Sequence, residues 1–96
     1  MLFHITHTHE PQECLFADPP ALADTFGSVD AAMERAGATV IGSWVIAASH
    51  TFYWVVDADS AGAVTRGLAP IVPLGHAEIR PIADLQETIE MLRSSE

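Results

Sequence analysis

Met1-Leu2-Phe3-His4-Ile5-Thr6-His7-Thr8-His9 opens the chain, and Glu10-Pro11-Gln12-Glu13-Cys14 follows it at once. Phe3-His4-Ile5-Thr6 alternates apolar with polar, which is the period of a strand whose successive side chains face opposite ways. Phe3 and Ile5 share one face, while His4, Thr6 and Thr8 share the other. Three of the five histidines fall within six residues, and the only cysteine lies five residues after the last of them. His7 and His9, two positions apart, look the same way and can grip one ion. Neutral nitrogen donors about 2 Å from a metal suit zinc, copper, nickel or iron.

Outward from this strand, residues 10–20 carry three prolines and several acids and read as a loop. Pro19-Pro20 can start a helix, in which Leu22, Phe26, Val29 and Met33 recur at helical spacing and which Gly37 stops. Thr39 to Ala47, rich in Val, Ile and Trp, reads as a second strand. After the turn Ala48-Ser49-His50, Thr51 to Asp57 makes a third, so that the pair forms a hairpin. Asp59 or Ser60 caps a short helix to about Leu68, with Val64 and Leu68 inward. Leu74 to Ile82 is a fourth strand, with Pro81 suited to a sheet edge. Asp84 and Glu87 form a capping box for a last helix with Leu85, Ile89 and Leu92 on one face.

Strand, helix, strand, strand, helix, strand is the split βαβ arrangement, so the expected fold is α+β and ferredoxin-like, with antiparallel sheet order 4-1-3-2 and an added C-terminal helix. In that order the end of strand one lies beside the starts of strands three and four. His50 stands at one of those starts and His76 at the other. His7, His9, His50 and His76 are therefore the expected metal ligands, gathered at one edge of the sheet, with Glu10, Glu13 and Cys14 on the loop that leaves it. Parity supplies a competitor. His4, His76 and Glu78 fall on the open face of the sheet, so His4, Cys14 and Glu78 stand as additional candidates. Read singly, each histidine is more simply a surface or hydrogen-bonded residue. Cys14 is more simply a plain loop thiol, and Glu78 with Arg80 a same-face ion pair.

Ninety-six residues make one domain, residues 1–96, and half of them are apolar, which argues against disorder. No apolar run reaches the length of a membrane span and no basic leader precedes the first strand, so a cytoplasmic protein is expected. A lone cysteine can form no internal disulfide. The formal charge of −9 argues against nucleic acid and against anionic membranes, and favours a cation or a neutral small molecule.

His-Thr-Phe-Tyr-Trp-Val-Val (50–56) after the hairpin turn, and Gly-His-Ala-Glu-Ile (75–79) near the end, bring in a resemblance. The chain is similar to the dimeric α+β barrel proteins, and within them to a small, largely uncharacterised bacterial family with a His-Thr-His start and a Gly-His-Ala-Glu near its end. The resemblance implies a homodimer in which two sheets meet face to face. The group it points to holds cofactor-free monooxygenases, lactone isomerases, haem-using enzymes and stress proteins, so the fold selects no chemistry.

Three functions follow as expectations. The first is a mononuclear histidine-rich metal site, zinc or copper before nickel or iron, serving metal binding or metal-dependent catalysis on a small molecule. The second is a cofactor-free or haem-assisted monooxygenase- or isomerase-like enzyme, acting on a small hydrophobic molecule between sheet and helices with one histidine as general base. The third is a non-catalytic structural dimer. Large residues among Trp44, Ile46, Tyr53 and Trp54 on the face without helices also call for a homodimer.

Overall fold

The computed structural model describes residues 1–94. Four strands, β1 (Leu2–Thr8), β2 (Thr39–Ile46), β3 (Thr51–Asp57) and β4 (His76–Ile82), form one sheet in the order β2-β3-β1-β4. This is the expected 4-1-3-2 order read from its other edge, and all three pairings are antiparallel. β1 and β3 are inner strands, and Pro81 sits on the edge strand β4, where its missing amide breaks no inner ladder. No helix among the described residues is long and apolar enough to cross a membrane.

β1 alternates as its sequence does. Phe3, Ile5, His7 and His9 are buried, while Leu2, His4, Thr6 and Thr8 are partly exposed. Register carries that parity across the sheet: Phe3 faces Val56, Ile5 faces Trp54, and His7 faces Phe52. These side chains form the floor of the core, and Phe26, Val29, Met33, Val64, Leu68 and Ile71 close it from the helical side.

The first helical stretch is broken where its apolar spacing predicts a continuous helix. α1 (Pro19–Thr25) gives way to a 3-10 turn at Phe26–Ser28 before α2 (Val29–Arg35). Gly27 is a weak helix former, and the Ser28 hydroxyl donates back to the Thr25 carbonyl at 2.7 Å, a local bond that competes with the helical ladder. The break turns Phe26 onto the sheet without losing the inward stripe. α2 ends as Gly37 predicts: with φ at 89° this glycine donates to Glu34, and Ala38 donates to Met33, a Schellman pair.

Ser60, the second of the two proposed caps, accepts from the Ala63 amide and starts α3 (Ala61–Gly67). β4 begins two residues later than its pattern suggests, because residues 69–71 form a 3-10 turn and Gly75 takes a left-handed φ of 66°. α4 (Leu85–Ser94) is capped by Asp84, whose carboxylate accepts from the Glu87 amide at 3.0 Å. It buries none of its residues, and the molecule is correspondingly long, with principal extents of 55 × 28 × 17 Å.

Candidate metal centre

The site grows from the C-terminal end of β1. His9 lies just past the last residue of the strand but stays in register, donating its backbone amide to the His50 carbonyl at 3.2 Å. His50 is the only described non-glycine residue with positive φ, at 52°, so a left-handed residue closes the β2–β3 hairpin. That conformation is uncommon outside glycine and carries a cost, although His, like Asn and Asp, adopts it more readily than most residues. It brings the imidazole back over the end of β1, with ring centroids of His9 and His50 5.2 Å apart.

The loop after β1 supplies the third donor. A 3-10 turn at Pro11–Glu13 is closed by Cys14, whose amide donates to Pro11 at 3.2 Å. Glu13 clamps the loop at two points: one carboxylate oxygen accepts from the Glu10 amide at 3.1 Å, the other from the Gly75 amide at 3.2 Å. Gly75 in turn lies against the backbone of Thr8 and His9. A Cβ at that position would stand 2.1 Å from the Thr8 carbonyl oxygen and 2.8 Å from the His9 Cα. The loop, the start of β4 and the end of β1 therefore fit together only with glycine at 75.

The result is one group of three donors among the described residues: His9, Cys14 and His50 each offer a ligand atom, and all lie within 4.8 Å of one another. His9 is only 4% exposed, and neither of its ring nitrogens has a hydrogen-bond partner. The Nδ1 of His50 is also buried and unpartnered. Orphaned polar atoms in a dry setting are rare, and each calls for a cause. Phe26 and Phe52 pack against the His9 ring at centroid distances of 5.7 and 5.9 Å, so water is kept from it on that side. Burial is the chief reason that the His9 imidazole titrates below its usual 6.5. The neighbouring imidazoles of His50 and His7 push it down further, against the pull of the Glu13 carboxylate. A neutral imidazole is the form that binds metal.

His7 adjoins this group without joining it. Its centroid is 6.1 Å from that of His9, and its Nε2 is hydrogen-bonded to the Leu74 carbonyl. Since a carbonyl only accepts, Nε2 carries the proton and the lone pair of the neutral ring is on Nδ1, which is buried and unpartnered. Burial likewise holds this imidazole below its usual pKa, opposed by the Leu74 and Ile71 carbonyls. A ring whose far nitrogen is tied to a carbonyl has the arrangement typical of a metal-ligating histidine.

The remaining sequence candidates lie elsewhere. His76 pairs with Thr8 across the β1–β4 ladder and is exposed; it borders one cavity with His7 and helps to hold the His7 imidazole low, but it is not one of the three converging donors. It stays outside the group at His9, although topology brings their strands side by side. Glu78 faces Thr6, and His4 faces Arg80. Arg80 is ion-paired to Glu78, and His4 rests against the Tyr53 ring at 5.9 Å, so the open-face trio of His4, His76 and Glu78 does not converge. Conversely, Glu13 and Gly75 hold the site in shape, and sequence reasoning passed over both roles.

An antiparallel α+β domain of ferredoxin-like topology, with two imidazoles and a thiol able to share one ion, is the class of protein that fold and site define. The chain belongs to the family described as Domain of unknown function (DUF3303), whose profile matches residues 1–96. No curated protein matches it.

Proposed function

We propose that this protein binds one transition-metal ion through an imidazole nitrogen of His9, an imidazole nitrogen of His50 and the Cys14 thiolate, with the His7 Nδ1 next in line as a fourth donor. A single observation carries the reading: the His9 ring is buried with both nitrogens unpartnered, in a group whose donors lie within 4.8 Å of one another. Bonds of about 2.0–2.3 Å in tetrahedral geometry separate ligand atoms by about 3.3–3.8 Å, so a closure of roughly 1 Å suffices. Side-chain rotation and the Cys14 loop supply it. Two imidazoles and one thiolate suit zinc or copper ahead of nickel and iron. With three ligands a position stays open for water or substrate. With His7 engaged the site is closed, the pattern of structural or metal-handling sites.

The test is metal analysis of protein purified without a nickel column, followed by cobalt substitution. About one equivalent of metal per chain is expected. A thiolate-to-cobalt charge-transfer band should disappear in Cys14→Ser, and His9→Ala should weaken zinc affinity at least ~10-fold. Protein that retains no transition metal and is not stabilised by added zinc or copper(I) would overturn the proposal.

A further inference from the structure

Beside the metal centre, on the helical side of the sheet, lies a cleft of about 380 Å³ lined mainly by Phe16, Leu22, Phe26, Phe52 and Trp54. That volume falls within the range of small-molecule sites. Its aromatic side chains are stacked on one another. Phe52 stacks on Phe26 at 4.1 Å and 8°, on Trp54 at 5.9 Å and 15°, and on Phe16 at 6.1 Å and 17°. Rings stacked in this way can be extended by another flat ring, which gains dispersion and offset stacking at the partly exposed Phe16 end.

Asp30 is the only ionisable residue in the lining. Its carboxylate is aimed by two neighbours: Oδ1 accepts from the Trp54 indole N–H at 3.2 Å, and Oδ2 accepts from the Ser43 hydroxyl at 3.2 Å. Each oxygen keeps acceptor capacity for a further donor. A carboxylate as the one charged group of the lining, in a chain of net charge −9, selects against anions.

We propose that this cleft binds a planar aromatic molecule carrying a hydrogen-bond donor, of the arylamine or N–H heterocycle class, with its ring extending the aromatic stack and its donor on Asp30. The proposal does not depend on the metal. His7 and His9 touch Phe26 and Phe52 but do not line the cleft, so the two phenyl rings stand between ligand and imidazoles.

The experiment is calorimetric titration of the full chain, treated with chelator, using 2-aminonaphthalene, 2-methylnaphthalene and 2-naphthoate as probes. Trp54 lines the cleft, so quenching of its fluorescence reports the same event. Wild type should bind the amine at least ~10-fold more tightly than the carboxylate. Asp30→Asn, which keeps an amide oxygen for Trp54, should erase most of that preference while leaving the methyl compound within about twofold, since only the charge-assisted bond is lost. Ala23→Phe, which fills the cleft from α1, should abolish binding of all three. Equal binding of amine and carboxylate, insensitivity to Asp30→Asn, binding that survives Ala23→Phe, or no binding up to the probes' solubility would each overturn the proposal. So would a change in oligomer mass on Ala23→Phe, because the cleft would then be the seat of a second copy. Chelator-treated protein separates this result from that of the metal centre: either reading can fail while the other stands.

Discussion

Replacing His9 by Leu should stabilise the metal-free protein, although His9 is among its most buried residues. The ring is 4% exposed and both its nitrogens lack partners. An unpaired buried polar group costs about 1–3 kcal/mol, and an apolar residue of similar volume removes that cost. Against this stand the ring contacts with Phe26, Phe52 and His50 at 5.7, 5.9 and 5.2 Å, where losing an aromatic pairing costs about 0.5–1.5 kcal/mol. The balance favours the metal-free variant by about 1 kcal/mol, or a rise of about 4–8 °C in melting midpoint for a domain of this size. Urea unfolding with chelator present, near pH 7.5 where imidazoles of reference pKa ~6.5 are neutral, measures it directly. With metal the ranking should invert. Wild type gains about 2.7 kcal/mol when free metal reaches ~100 times its dissociation constant, and the variant gains little. Metal-free His9→Leu that is less stable than wild type by 1 kcal/mol or more, taken as the rough size of the expected gain, would show that the His9 nitrogens are satisfied, and the case for a ligand would fall with it.

Gly75→Ala should destabilise the fold by about 1–3 kcal/mol, because a Cβ 2.1 Å from the Thr8 carbonyl oxygen forces β1 and β4 apart, and it should weaken metal binding by moving His9. Denaturant midpoints and zinc affinity should shift together, and an unchanged affinity would disprove the link. The pH dependence has a defined sign. Burial holds His7 and His9 below 6.5 in the folded state, so the unfolded chain takes up protons first as pH falls. Stability of the metal-free protein should be level above about pH 7 and should decline below ~6.5 until the folded-state values are reached, by up to ~1.4 kcal/mol per unit of difference for each group. Urea melts between pH 8 and 5 check it, and a rise on acidification would contradict it. A homodimer is expected from the open face of the sheet, where Trp44, Ile46 and Ile82 are exposed by 55, 49 and 40%. A monomeric mass by sedimentation at micromolar concentration would refute it.

The strand period near Phe3–Thr6, the β-rich hairpin around His50 and the helix signals between them are local, and the order of elements they give was enough to read the sheet order from the split βαβ arrangement. The meeting of His9 with His50 follows from that order. His76 stays outside their group, which topology alone does not show. Cys14 read first as a plain loop thiol, since nothing local shows that the Glu13 carboxylate reaches over sixty residues along the chain to the Gly75 amide. The break between α1 and α2 was hidden for a different reason. Phe26 and Val29 keep helical spacing through the 3-10 turn, so the apolar pattern is continuous where the backbone is not. Asp30 gave no signal at all, as its partners Ser43 and Trp54 lie on two strands.

α4 carries a consequence that belongs to helix–coil theory. It has ten residues, an Asp84 cap, a Glu90–Arg93 pair and no buried side chain. In water a helix of that length is marginal even for strong helix formers, since nucleation is costly and each added residue repays little. Capping and one ion pair contribute about 1 kcal/mol and a few tenths respectively. Unaided, the segment would interconvert between coil and helix, and its amides would exchange with solvent far faster than those of β1, which is hydrogen-bonded on both sides. Protection measured across residues 85–94 therefore acts as a gauge of packing added to the isolated helix, and its dependence on protein concentration distinguishes a second copy from contacts within the chain.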